Sequence, residues 1–237
     1  MPVSLNIDLG ELDDEPDELV GLATIANVAC GGHAGDSASM RRVLGLAREH
    51  GTALAAHPSY ADRDGFGRRA HFQTAHEAAR AVALQCRRLE AAARELGAPV
   101  RRLKLHGALY HDASLDLELA RLVVGAARAE LPELAAVIGP AGSELERAAG
   151  ALGLRFEREA FADRGYDERG RLRARGTPGA LLEHVDEVLA QATRLARSGE
   201  CDTLCLHGDT PGALERARAL RARLEHEGLL WTGESSL

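Results

Sequence analysis

Short apolar segments alternate with long amphipathic segments along the whole chain. Seven short segments predict β-strands, at residues 5–8, 25–30, 53–57, 102–106, 135–139, 156–161 and 203–207, and an eighth candidate lies at 229–232. Between them, apolar residues recur at spacings of three and four, which is the period of an amphipathic helix. Six such helices are predicted, and their apolar stripes begin at Met40, Ala78, Leu119, Leu145, Leu181 and Leu214.

The ends of the predicted helices carry residue types that suit helix termini. Five helical segments are followed by a glycine, which ends a helix in the left-handed backbone region: Gly51, Gly97, Gly153, Gly199 and Gly228. Asp36 and Asp209 precede helical segments and are predicted to cap them. Pro211 is predicted at the first position of the last helix.

Strands that alternate with helices of this length predict parallel strands joined by right-handed crossovers. Seven or eight such units favour an α/β fold, an irregular (β/α) barrel of parallel strands. An open doubly wound sheet is the alternative. No Pro/Ser-rich or low-complexity linker interrupts the pattern, so residues 1–237 are predicted to form a single barrel domain.

Polar side chains collect at the ends of the predicted strands. Asp8 ends the first strand, and His57, His106 and His207 end the third, fourth and seventh. His33 lies in the loop that follows the second strand. In a (β/α) barrel the carboxyl ends of the strands line one mouth, where active sites are found. We therefore expect these side chains to meet in one site.

Alternation along the strands separates a polar inner face from an apolar outer face. Asn6 and Asp8 share one face, as do Lys104 and His106, while the residues between them are apolar. Burying such groups costs several kcal/mol unless they are paired or serve a ligand. His207 also lies on an inner face. Position at a strand end and on an inner face together predict Asp8, Lys104, His106 and His207 as the catalytic residues.

The amino-acid composition indicates a special role for one of these residues. The chain has 29 basic residues, and Lys104 is its single lysine. A chain that uses arginine elsewhere and keeps one lysine on an inner face suggests a role for a compact ammonium group. The net charge of −7 argues against nucleic acid or an anionic membrane as a partner.

Other features bear on location and on cofactors. No apolar segment approaches the ~18 residues of a membrane span, and the N-terminal segment does not resemble a signal peptide, so a cytoplasmic location is predicted. The four cysteines are predicted to be reduced and buried. The sequence contains neither a GxxxxGK[ST] nor a GxGxxG phosphate-binding motif, so binding of ATP or NAD through these loops is not predicted.

Two loops carry arginines that suit a carboxylate or phosphate ligand. Arg68 and Arg69 follow the third strand in the segment DRDGFGRR, and Arg164 follows the sixth in FADRGY. The planar guanidinium group binds such anions through two parallel hydrogen bonds. These arginines are predicted to contact a small-molecule substrate, although one of the pair at 68–69 is expected to be an ordinary surface residue.

Six motifs, in order along the chain, are similar to those of the LamB/YcsF family of ATP-dependent 5-oxoprolinase A subunits. They are LNIDLGE, ANVACGGHAGD, AAHPSYADRDGFGRR, LKLHGALYH, FADRGY and CLHGD. The resemblance implies a seven-stranded barrel like that of polysaccharide deacetylases. It also implies cleavage of a cyclic amide C–N bond, converting 5-oxo-L-proline to L-glutamate. Partner subunits B and C would complete the enzyme, one of them binding ATP.

This reaction suggests roles for the candidate residues. Asp8 would act as the base, His106 or His207 as the proton donor, and Lys104 would stabilise developing negative charge. The substrate-binding residues are predicted to be Asn6, His33, His57, Arg68, Arg69 and Arg164.

Two alternative functions fit the same residues. In a metal-dependent hydrolase of the carbohydrate or amide deacetylase type, Asp8, His33 and His57 would hold a divalent ion. In a non-catalytic subunit, the polar interior would shield or relay a labile ligand for its partners.

Overall fold

Seven parallel strands close into a barrel, as the alternating pattern predicts. The structure, a computed structural model, describes residues 1–69 and 74–231. The strands follow one another around the barrel in chain order, and β7 pairs with β1 to close it. Their bounds are Ser4–Leu9 (β1), Ile25–Ala29 (β2), Ala53–His57 (β3), Val100–Lys104 (β4), Ala136–Gly139 (β5), Arg155–Phe161 (β6) and Thr203–His207 (β7).

Helices surround the strands, and the described residues form eight of them. Their bounds are Glu18–Leu22 (α1), Ser37–His50 (α2), Ala75–Leu96 (α3), Gly107–Leu115 (α4), Leu117–Glu130 (α5), Glu144–Ala151 (α6), Val185–Ser198 (α7) and Ala213–His226 (α8). The sequence pattern did not predict α1 or α4. The first has only five residues, and the second does not separate apolar from polar faces, because Leu115 is 85% exposed while Leu109 and Tyr110 are buried.

Most of the predicted helix ends are confirmed. All five glycines have positive φ, from 63° to 73°, and Asp36 caps α2 by accepting hydrogen bonds from two backbone N–H groups. The prediction for α8 was wrong, because this helix begins at Ala213 after Gly212, and Asp209 and Pro211 lie in the preceding turn. The stripe from Leu181 was also too long, because α7 begins at Val185.

The eighth candidate strand does not join the barrel. Leu230 forms only an isolated parallel bridge with Val3, and Thr232 lies outside the described residues. The barrel needs no eighth strand, because β1 and β7 pair directly over five residues. None of the helices described combines the length and apolarity that crossing a bilayer requires.

The strands present different chemistry to the two sides of the barrel wall. Leu5 and Ile7 point outward and are fully buried in the main apolar core under the helices. Inside the barrel, Asn6 pairs in register with Cys205, and Asp8 with His207. The register of β1 and β7 thus places these polar side chains together inside the barrel, near the carboxyl ends of the strands.

Candidate active site

A cavity of about 420 Å³ opens at the carboxyl ends of the strands. It is lined by the charged and imidazole side chains of Asp8, His57, Arg68, Lys104, His106, His111, Arg164, Arg173, Arg175 and His207. All four residues predicted to be catalytic therefore face one space, together with half of those predicted to bind substrate. Asn6, His33 and Arg69 do not line it.

Lys104 forms the charged centre of the cavity floor. Its Nζ lies 2.7 Å from Oδ1 of Asp8 and 3.0 Å from Oε1 of Glu159, Oδ1 of Asn6 and Sγ of Cys205. Burial acts to lower the pKa of Lys104, but the neighbouring Asp8, Cys205 and Glu159 raise it well above its ordinary value. Lys104 is consequently a fixed positive charge at neutral pH.

Asp8 is held in place by its hydrogen bonds. Its Oδ1 accepts from Lys104 and, at 2.8 Å, from Nδ2 of Asn27, while Oδ2 lies 3.5 Å from Nε2 of His57. Burial raises the pKa of Asp8, but His57 and Lys104 lower it more, so the carboxylate remains ionised. Asn6 supports this arrangement from within the barrel, because its Oδ1 accepts hydrogen bonds from both Asn27 and Lys104.

His207 is oriented by a buried carboxylate in the loop that follows the neighbouring strand. Asp163 lies 3.0 Å from Nδ1 of His207 and accepts the backbone N–H of the same residue at 3.0 Å. A carboxylate at Nδ1 holds the proton there, and this leaves Nε2 as the basic nitrogen. Burial raises the pKa of Asp163, but His207 lowers it below its ordinary value overall. The pair can therefore accept and return a proton at the cavity wall.

Three histidines and a glutamate cluster at the opposite side of Asp8. Oε1 of Glu11 lies 2.8 Å from Nε2 of His33, 3.3 Å from Nδ1 of His106 and 3.7 Å from Nε2 of His57. The rings of His33 and His106 stack with centroids 3.6 Å apart. Burial, followed by the neighbouring histidines, lowers the pKa of His33 and of His106, so both rings are neutral.

The three arginines predicted to bind an anion have different surroundings. Arg68 lines the cavity, pairs with Asp209 and stacks its guanidinium 4.6 Å from the ring of Phe66. Arg69 is 59% exposed and pairs with Asp62, as expected for one of the two. Arg164 lines the cavity, but its Nε and one NH2 group donate to the backbone carbonyls of Ala180 and Arg173. It thus holds together a loop that lines the cavity.

Sequence reasoning missed Glu11, Glu159 and His111 as residues of the site, and it noted Asp163 only as part of the FADRGY loop. Glu11 is part of the first quoted motif, but it lies in a loop beyond β1, where alternation no longer indicates direction. Glu159 shares the inner face of β6 with Phe161, and the alternation test could have found it. The sequence suggested Asp8, His33 and His57 as metal ligands. In the structure, His33 and His57 cluster with Glu11 and His106, whereas Asp8 forms an ion pair with Lys104.

The fold and the site together define a class: (β/α)-barrel proteins with a buried, histidine-rich cavity at the carboxyl ends of seven parallel strands. Within that class, the chain belongs to the LamB/YcsF family, whose model matches residues 3–235. This confirms the resemblance seen in the six motifs.

Relatives cover nearly the whole chain. It is 45% identical to a 5-oxoprolinase A subunit from Streptomyces avermitilis, over 96% of this chain and 97% of that protein. It is 41% identical to a 5-oxoprolinase A subunit from Nocardia farcinica, over 97% and 98%. The crystal structure of a lactam utilization protein from Thermus thermophilus matches with a TM-score of 0.87 and 36% identity, over 96% and 98% of the two chains.

Proposed function

We propose that this chain is the A subunit of an ATP-dependent 5-oxoprolinase, which hydrolyses 5-oxo-L-proline to L-glutamate. The observation that carries the proposal is a cavity of about 420 Å³ whose walls place an ionised carboxylate, an ammonium group and a carboxylate-oriented imidazole around one space. The names of relatives more than 40% identical over almost the full length support the same activity.

The chemistry needs an activated lactam, because the amide carbon of a five-membered lactam is a poor electrophile. Transfer of the γ-phosphoryl group of ATP to the lactam oxygen makes that carbon reactive. Water then adds to the carbon, the C–N bond breaks as the ring nitrogen gains a proton, and a second water releases phosphate from the resulting acyl phosphate. ADP, phosphate and glutamate are the products.

The side chains around the cavity suit these steps. His207, held by Asp163, is placed to take a proton from water and return it to the ring nitrogen. Lys104 supplies positive charge where the oxygen becomes negative. Asp8, whose lowered pKa keeps it ionised, accepts a hydrogen bond from the same water and orients it toward the lactam carbon. Arg68 is the arginine best placed to hold the substrate carboxylate.

In the proposed enzyme, ATP binds to a partner protein. The relatives are named as subunits, which supports an enzyme of several chains, and the resemblance implies subunits B and C. The test is reconstitution of this chain with candidate B and C subunits, followed by measurement of glutamate release from 5-oxo-L-proline. We expect release only when ATP and all three subunits are present.

A variant pair makes this test specific to the cavity. Asp8→Asn should abolish glutamate release from the reconstituted enzyme, whereas His226→Ala, at an exposed position near the end of α8, should leave it unchanged. Normal turnover by Asp8→Asn would exclude the proposed role of the cavity in catalysis. If ATP hydrolysis is coupled to lactam cleavage, Asp8→Asn should reduce ATP hydrolysis to the same extent as glutamate release.

A further inference from the structure

The buried cluster of Glu11, His33, His57 and His106 contains a short contact between two ring nitrogens, and the reaction described above does not account for it. Two of its ring nitrogens, Nε2 of His57 and Nδ1 of His106, lie 3.0 Å apart. A contact this short between two nitrogens needs a proton or a positive ion between them, because two lone pairs repel.

The other nitrogen of each ring is already committed as a donor. Nδ1 of His57 lies 2.9 Å from the backbone carbonyl of Lys104, and Nε2 of His106 lies 3.0 Å from the backbone carbonyl of Phe66. A carbonyl oxygen can only accept, so each of these nitrogens carries the hydrogen. With one hydrogen on each ring, the two nitrogens that face one another both present lone pairs.

This is the arrangement found around metal-binding histidines. A histidine that binds a metal through one nitrogen donates its other N–H to a carbonyl or carboxylate, which fixes the ring and its tautomer. His57 and His106 both have such a carbonyl partner, and their other nitrogens face one another at 3.0 Å.

Glu11 completes a triangle of donor atoms. Its Oε1 lies 3.3 Å from Nδ1 of His106 and 3.7 Å from Nε2 of His57, and the two nitrogens are 3.0 Å apart. Tetrahedral zinc with bonds of 2.0–2.1 Å places its ligand atoms about 3.3 Å apart. Among the described residues, the ion pairs of Glu11 are all with histidines, and none is with a lysine or arginine.

His33 has a different part in the cluster. Its ring is parallel to that of His106, at 1°, so the two cannot both point a lone pair in plane at one ion. Its Nδ1 lies 2.9 Å from Oγ of Ser59 and accepts the hydroxyl hydrogen, so Nε2 carries the hydrogen of the neutral ring. Nε2 donates to Oε1 of Glu11 at 2.8 Å and fixes the position of that oxygen.

We infer that Glu11, His57 and His106 form a binding site for one divalent ion of the zinc type, with His33 positioning Glu11. Two neutral imidazoles and one carboxylate are the ligand set of many zinc hydrolases, which leave a further position open to substrate. His57 and His106 line the cavity, so the open position would face it. An ion there can polarise a carbonyl or phosphoryl oxygen of a ligand in the cavity.

This inference deepens the proposed function, since it concerns the same cavity, and it gives His106 a role other than proton donor. Its test does not depend on that function. The full chain, dialysed against a chelator and then freed of it, is titrated with Zn²⁺ by calorimetry without ATP, substrate or partner subunits. Binding of one Zn²⁺ per chain is expected. Absence of binding would overturn the inference, whatever the outcome of the glutamate assay.

Variants show whether the ion binds at this cluster. Glu11→Gln and His106→Ala remove ligands and should weaken Zn²⁺ binding by more than ~100-fold, while Ser59→Ala, which removes the partner of His33, should weaken it by ~10–100-fold. His226→Ala should bind as the wild-type chain does. Equal affinity in all of these proteins would place the ion elsewhere and overturn the inference.

A second measurement separates loss of ligands from loss of folding. Circular dichroism of the metal-free Glu11→Gln variant should match that of the metal-free wild-type chain, because the amide has the shape of the carboxyl group that it replaces. Co²⁺ added to the wild-type chain should give the visible absorption of a low-symmetry site with nitrogen ligands, and Glu11→Gln should lose it. A spectrum of hydrated Co²⁺ from the wild-type chain would contradict the inference.

Discussion

Asp163 accepts two hydrogen bonds from His207, one from ring Nδ1 at 3.0 Å and one from the backbone N–H at 3.0 Å. The double contact fixes both the position of the strand end and the tautomer of the ring. It joins the loop after β6 to the end of β7. Asp163 therefore orients the basic Nε2 of His207 without itself taking part in the reaction.

Asp163→Asn tests this relationship. The amide can hold the position of the ring but donates where the carboxylate accepts, so His207 is driven to the other tautomer and loses its basic nitrogen at Nε2. We expect kcat for glutamate release to fall by about 10²–10⁴-fold with a small change in KM. Steady-state kinetics of the reconstituted enzyme measure this. A rise in KM with kcat unchanged would show that Asp163 serves binding and not proton transfer.

The same substitution has a separate effect on stability in acid. The pKa of Asp163 in the folded chain lies below its ordinary value of 3.8. Its contribution to stability is therefore present above that value and is lost as the pH falls through the lower, folded pKa. Thermal unfolding from about pH 7 to about pH 3 should show a steeper loss for the wild-type chain than for Asp163→Asn. The exposed Asp14→Asn should follow the wild-type curve.

The residues at strand ends were the part of the site that the sequence could predict. Alternation fixes the direction of side chains within a strand, and the register of parallel strands brings their carboxyl ends together. Asp8, Lys104 and His207 lie in strands and satisfy both conditions. His106 lies just beyond β4, as the residue before α4, and still faces the cavity because its backbone remains extended.

The loop residues could not be predicted in the same way. Glu11 reaches the histidines because the chain turns at Gly10, where φ is 75°. A turn of that kind removes any simple relation between sequence spacing and direction. Arg164 was predicted to bind an anion, but two of its nitrogens are held by carbonyls of residues 9 and 16 positions away. Contacts of this type depend on how a loop folds back on itself, which no periodic pattern records.

Lys104→Met should destabilise the chain as well as stop the reaction. The ammonium group is the partner of two buried carboxylates, those of Asp8 and Glu159. Its removal leaves buried charge without compensation, which typically costs about 3–5 kcal/mol. Urea unfolding of the isolated chain measures the loss. The double variant Lys104→Met with Asp8→Asn should recover part of it, and no recovery would show that the ion pair is not the cause.

Gly67→Ala should disturb the histidine cluster more than its backbone angle alone predicts. Gly67 has φ of 64°, and a Cβ there would lie 2.9 Å from Cβ of His33 and 3.1 Å from Cδ2 of His106. Gly142 is the matched control, with φ of 71° and no atom within 4 Å of the added Cβ. Each change costs about 1–2 kcal/mol for the left-handed backbone. Crowding should add about 1–3 kcal/mol at Gly67 only. Equal losses in unfolding free energy would contradict the packing described.

The cysteines report on whether the barrel opens in solution. All four are free and buried. Burial raises the pKa of Cys30 to about 12 and that of Cys201 to about 11. Because the thiolate is the reactive form, the folded chain should resist iodoacetamide at about pH 8, whereas the chain unfolded in guanidinium should gain four adducts by mass spectrometry.

Cys205 is the most informative of the four cysteines, since its Sγ lies beside Nζ of Lys104 inside the barrel. Its rapid modification in the folded chain would show that reagents reach the cavity floor, and protection by a bound ligand would then measure how well that ligand fills the cavity.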